Sequence, residues 1–283
     1  YAAGRAREAE RIYNHLLRLD TGLDAAVHGY AWARYAQGHL DEARRYMEHA
    51  AARAPTATLW RDLGIVRYTL GDAAAAGEAF AAAVALEPNS ALHHNNLGGA
   101  RLELGDYDAA LAAFETALGL APDSADTRAN KVRALERLNR LSEARAVLPE
   151  TMPEHFGLCV SAATVHRRLG ELVRARDLAT HAMRHLARGQ GPQQTRQAAF
   201  LLGEIHDRLG EADAAFAWFE RGNSDLMALP SFQRCDKGRW QRMAANAATR
   251  FTSDWVASWS PFDEQERSGR APVFFVGFPR SGT

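Results

Sequence analysis

Two stretches of the chain, "LWRDLGIVRYTLGDAAAAGEAFAAAVALEP" and "HHNNLGGARLELGDYDAALAAFETALGLAP", carry one pattern at a constant offset of 34 residues. Leu63, Gly64, Leu70, Gly71, Asp72, Ala76, Phe80, Ala83 and Pro88 return as Leu97, Gly98, Leu104, Gly105, Asp106, Ala110, Phe114, Ala117 and Pro122. A period of this length predicts a supersecondary unit that buries its apolar face only by stacking on copies of itself. Gly71 and Gly105 supply the left-handed conformation that ends a first helix, and the aspartate after each can begin a second. Gly64, Gly98, Ala76 and Ala110 are small enough for the helices to approach closely. Phe80 and Phe114 are expected to fill the space between neighbouring pairs, and Pro88 and Pro122 to stop the second helices.

The pattern closely resembles the tetratricopeptide repeat, which implies an all-α, right-handed solenoid of helix–turn–helix units. The turn residue alone extends the array. Gly4, Gly38, Gly71, Gly105, Asn139, Gly170 and Gly210 are each followed five positions later by alanine, and asparagine is the next best residue at a left-handed position. About six and a half units result over 1–223, with 125–155 and 156–188 the most degenerate and "RGQGPQQT" read as a loop. Tyr1 to Gly4 reads as the end of a helix whose start is missing, so the chain is expected to begin inside its array. The last unit, ending "AFAWFERGN", is expected to close at Gly222–Asn223.

The first helix of each unit should line the concave face. That face is expected to present His28, Trp32 and Tyr35, then Arg61, Ile65 and Tyr68, then Asn95, Gly99 and Leu102. Aromatic rings beside amide and guanidinium groups suit an extended peptide or another polar partner; packing between repeats is the alternative role for Trp32, Tyr35 and Tyr68. His181 and His185 stand one turn apart with Asp177 on the same face, a spacing compatible with metal but more often found on a bare surface, and no metal site is expected. Adjacent His93 and His94 point to different sides of their helix.

Charge narrows the partners further. With 34 basic and 34 acidic residues and a pI near 7.4, nothing in bulk favours nucleic acid or an anionic membrane. No apolar run approaches the roughly 18 residues of a membrane span. Cys159 and Cys235 form neither a disulfide framework nor a metal set and read as ordinary thiols, so a cytoplasmic setting is expected.

The composition changes near the end. A connector over 224–270, with Trp240, Phe251, Trp255 and Trp259 at helical spacing, leads to the polar break "SPFDEQERSGRAP". From 271 to 283 the apolar run Val273–Val276 reads as a buried strand, and Gly277, Pro279, Arg280, Ser281, Gly282 and Thr283 as a loop built for an anion. A nucleotide-binding P-loop would need lysine where Thr283 stands. "VFFVGFPRSGT" resembles the 5′-phosphosulfate-binding loop of sulfotransferases, and its place after the repeats is similar to bacterial tetratricopeptide-repeat sulfotransferases. The resemblance implies the start of an α/β, P-loop-like domain. It also implies transfer of a sulfuryl group from 3′-phosphoadenosine 5′-phosphosulfate (PAPS) to a hydroxyl or amine, without a metal. Gly277, Pro279, Ser281, Gly282 and Thr283 would cradle the donor, and Arg280 would stabilise charge on the bridging oxygen as the catalytic residue. The rest of such a domain would lie beyond Thr283, so the segment alone is expected to be inactive. A non-enzymatic interaction scaffold is the alternative.

Overall fold

The computed structural model describes residues 3–19 and 24–227, with a few isolated positions beyond. Helix α1 (Ala3–Leu19) is followed by six antiparallel pairs. These are α2 (Asp24–Ala36) with α3 (Leu40–Arg53), α4 (Ala57–Thr69) with α5 (Ala73–Leu86), and α6 (Ala91–Glu103) with α7 (Tyr107–Leu120). Then come α8 (Ala125–Arg137) with α9 (Leu141–Val147), α10 (Phe156–Arg168) with α11 (Leu172–His181), and α12 (Pro192–Arg208) with α13 (Ala212–Met227). Each first helix packs on its own second helix, and each second helix down to α11 packs on the first helix of the next pair.

The turns follow from the residues the sequence singles out. Gly38, Gly71, Gly105, Gly170 and Gly210 have φ between +77° and +86°, and Asn139 has φ of +59°. In every pair the turn residue donates its N–H three residues back while the next residue donates five back, as in Gly71 N to Tyr68 O and Asp72 N to Arg67 O, both 3.0 Å. That double closure satisfies the carbonyls a helix end leaves orphaned. Asp72 and Asp106 then cap the following helices, accepting from Ala75 N at 3.0 Å and Ala109 N at 3.4 Å. Thr56, Ser90 and Ser124 do the same for first helices.

Close approach is decided at one position of the pair. A Cβ on Gly64 would sit 2.5 Å from the Phe80 ring, and one on Gly98 or Gly203 equally near Phe114 or Phe219. The phenylalanine therefore packs first within its own pair. Phe80 also meets Leu97 and Ala100 of the next, so the sequence expectation holds in part. The first pair keeps the same slot with different residues, Ala31 and Met47, both fully buried in one cluster. In the two degenerate pairs it is filled by Val132 with Leu148, and by Ala163 with Ala179.

Four expectations are corrected. Gly4 lies inside α1 rather than at a turn before it. Gly222–Asn223 does not close the last helix: α13 runs on to Met227, and Gly222 is buried where a Cβ would stand 3.0 Å from the Phe200 ring. "RGQGPQQT" is only partly loop, because Pro192 opens α12, a position at which proline loses no hydrogen bond. Leu102 is 6% exposed, packed with Ala110, Phe114 and Ala134 rather than lining a groove. The connector tryptophans and the whole of 271–283 lie outside the described residues.

Candidate functional site, the face of the first helices

The predicted groove residues fall into two groups. At the N-terminal end they turn inward onto Asp62, an aspartate of α4 that is 1% exposed. His28 Nε2 lies 2.8 Å from its Oδ2, Trp32 Nε1 donates to the same oxygen at 2.7 Å, and Arg61 Nε donates to Oδ1 at 2.8 Å. Burial pushes this carboxyl up, but the hydrogen bonds from His28, Trp32 and Arg61 outweigh it and hold the group below the usual carboxylate range. Trp32 stands edge-on to Tyr35 at 4.9 Å, and the Tyr35 hydroxyl is 3.2 Å from Thr69 Oγ1. His28, Trp32 and Tyr35 thus bond across to the next repeat while Arg61 bonds Asp62 within α4, and Asp62 is the residue that sequence reasoning missed. Its signal was a charge inside the apolar run "LWRDLGIV".

Further along, the face opens. A cleft of about 800 Å³ is lined by first-helix residues from Tyr68 on α4 to Leu201 on α12. Tyr68 is 40% exposed at one end, and burial together with the Glu103 carboxylate pushes its phenol above the ordinary value. Asn95 meets an asparagine of the next repeat: Asn130 Nδ2 donates to Asn95 Oδ1 at 3.1 Å, and Asn130 rather than Asn95 lines the cleft. Asp126, His155, Ser161 and the glutamines at the start of α12 are also part of the lining. None of these was singled out by sequence, since each is an ordinary polar residue until the helices are stacked.

The remaining candidates are resolved individually. His181 and His185 have ring centroids 5.1 Å apart, beside a π-helical turn over Ala182–Leu186, and no group of three metal-ligating residues occurs among the described residues. His93 is buried with Nε2 3.1 Å from Glu87, while His94 Nε2 is 2.8 Å from Pro88 O, so the neighbours do diverge. Cys159 is buried, donates to Pro153 O at 3.0 Å and has its pKa pushed up to about 11 by burial, which makes it a poor nucleophile. Among the described residues no helix is long and apolar enough to cross a membrane.

Comparison with known proteins fits this geometry. A tetratricopeptide repeat family model matches residues 1–64 and 101–157. No curated protein matches the sequence. Among solved structures, a tetratricopeptide repeat protein from Parabacteroides merdae is 18% identical with a TM-score of 0.66, over 80% of this chain and 88% of that one. PilW, a type IV pilus biogenesis factor, is 19% identical with a TM-score of 0.60, over 75% of this chain and 97% of that one. The Cut9–Hcn1 hetero-tetramer of the APC/C gives 22% identity and a TM-score of 0.57, over 71% of this chain and 40% of that one. At such identities the likeness concerns the fold. With the 34-residue period, the six left-handed turns and the glycine–phenylalanine slot, it shows that the helix pairs of this chain have a tetratricopeptide-repeat-like fold.

Proposed function

We propose that the array is a protein-docking module whose partner lies in the cleft between Tyr68 and Leu201. The observation that carries this reading is the cleft itself, about 800 Å³ in volume and lined by five successive first helices. Stacked repeats produce extended concave surfaces of this kind, suited to a partner that runs along several units. The Cut9–Hcn1 hetero-tetramer of the APC/C agrees with such a use of the fold. The test is a peptide selection against the protein, followed by binding to Asn130→Ala and Tyr68→Ala variants. Both should weaken the selected peptides with the helical circular dichroism unchanged, and undiminished binding by both would remove the cleft from the interaction.

A second reading adds an enzyme to the platform, and what favours it is the sequence "VFFVGFPRSGT" following the repeats. In it the cleft recruits a macromolecular acceptor, and the loop from Gly277 to Thr283 receives PAPS. Arg280 then offsets the charge that builds on the donor's bridging oxygen as its bond to sulfur breaks and the acceptor hydroxyl oxygen bonds sulfur, the hydroxyl proton passing to a general base. Donor-dependent sulfate transfer by the native gene product is the measurement. Arg280→Ala should lower turnover about 100-fold or more, the size of losing one aligned contact to developing charge. Turnover undisturbed by that substitution would take Arg280 out of the site.

A further inference from the structure

The cleft has a chemical character that narrows its occupant, and it is set by which of its side chains are already engaged. Each charge along it has a partner within the protein. Glu103 accepts from Arg133 at 3.3 Å, Asp126 lies 3.1 Å from His155, and Glu136 lies 2.7 Å from Arg168 and 3.9 Å from Arg137. A ligand charge placed there would have to displace a partner from one of these largely exposed pairs, which leaves little net gain. The far end is different: Gln193, Gln194 and Gln197, at the start of α12, are exposed and line the cleft. Gln193 and Gln197 are four residues apart and so share one side of the helix.

A carboxamide offers two donors and two acceptor lone pairs without charge. That is the complement of a peptide unit, which presents one N–H and one C=O. Resting on the docking reading above, we infer that the cleft takes an uncharged, extended peptide rich in hydroxyl and amide side chains. Its main chain is hydrogen-bonded by the glutamines of α12. Charge does not select this ligand; matched donors and acceptors do, because a charged side chain lying in the cleft would be left without a counter-ion.

The experiment uses the full chain and three fluorescein-labelled peptides of equal length: one of Ser, Asn and Gln, one with Glu interspersed and one with Arg interspersed. Fluorescence anisotropy is read at low and at high salt. The neutral peptide should bind tightest, with a dissociation constant that moves less than about twofold between the two salts, since no exposed ion pair forms. Gln193→Ala with Gln197→Ala should weaken it about tenfold, the scale of losing one or two buried hydrogen bonds. Gln197→Glu should let the Arg peptide overtake the neutral one. Preference for either charged peptide by the unaltered protein, or a double variant that keeps its circular dichroism and binds normally, overturns the inference and leaves the docking reading standing. Binding of none of the three, or of a neutral oligosaccharide in their place, overturns both.

Discussion

The two ends of one face, built from the same repeat, do opposite things with their polar residues. Around Asp62, the histidine and indole that sequence marks as binding groups join α2 to α4, and the Arg61 guanidinium bonds the same carboxylate from within α4. Between Tyr68 and Leu201 the charges pair off along the rim and leave neutral carboxamides facing solvent. The difference teaches that a polar stripe on a solenoid becomes a binding surface only where the stacking leaves it unsatisfied. A single buried carboxylate is enough to convert the stripe into structure.

The largest effect should come from breaking the closed end. Asp62→Ala leaves His28, Trp32 and Arg61 facing an empty acceptor site. It should cost roughly 3 kcal/mol in urea unfolding, the low end for a disrupted buried pair because Arg61 and His28 still reach water. Native-state hydrogen exchange should place that loss in α2 to α5. Should protection fall equally in α10 to α13, the two ends are not independent.

The middle of the array comes next. Gly98→Ala puts a methyl group against Phe114, which is fully buried and has no room to withdraw, so a loss of about 1–3 kcal/mol is expected in thermal or urea unfolding. Gly71→Ala meets no neighbour at all, and its cost of about 1 kcal/mol comes only from the left-handed backbone. Equal costs at the two glycines would mean that the close approach at Gly98 contributes nothing.

A smaller effect concerns pH. Asp62 titrates below its unfolded value, so its stabilisation is complete above the unfolded pKa of about 3.9 and is lost as pH falls toward the folded one. Stability of the unaltered protein should therefore drop more steeply below about pH 4 than that of Asp62→Asn. Parallel acid curves would show that the knot carries no charge. At the open end, Gln193→Ala with Gln197→Ala should change stability by no more than about 0.5 kcal/mol. A larger loss would mean that these glutamines hold the fold rather than a ligand.

The fold was legible because its determinants are local. A glycine or asparagine at each turn, an aspartate after two of them and a small residue opposite an aromatic are all readable at fixed spacing, and five glycines and Asn139 adopt the conformation expected. Gly222 shows the limit: the same residue type that ends a helix also admits the Phe200 ring in the middle of one, and only the packed neighbour tells which. The groove was legible as a face but not as a site. His28 and Asp62 are 34 residues apart, as are Tyr35 and Thr69, while Asn95 and Asn130 are 35 apart. Counted from the turn residues Gly38, Gly71, Gly105 and Asn139, each contact joins a position to the one just past its equivalent in the next repeat, and nothing in the pattern distinguishes one that closes from one that stays open.

By itself, then, the sequence determined the repeat, its turns and caps and the face each first helix presents, because these depend on backbone conformation and residue size within one unit. Tertiary structure alone decided that Asp62 would gather three predicted binding residues, that Leu102 would be buried, and that the open surface would begin at Tyr68 and run to the glutamines of α12. The reason is that hydrogen-bond satisfaction is a property of neighbours in space. Side chains of the same type are bound or free according to what the next repeat places within about 3 Å of them.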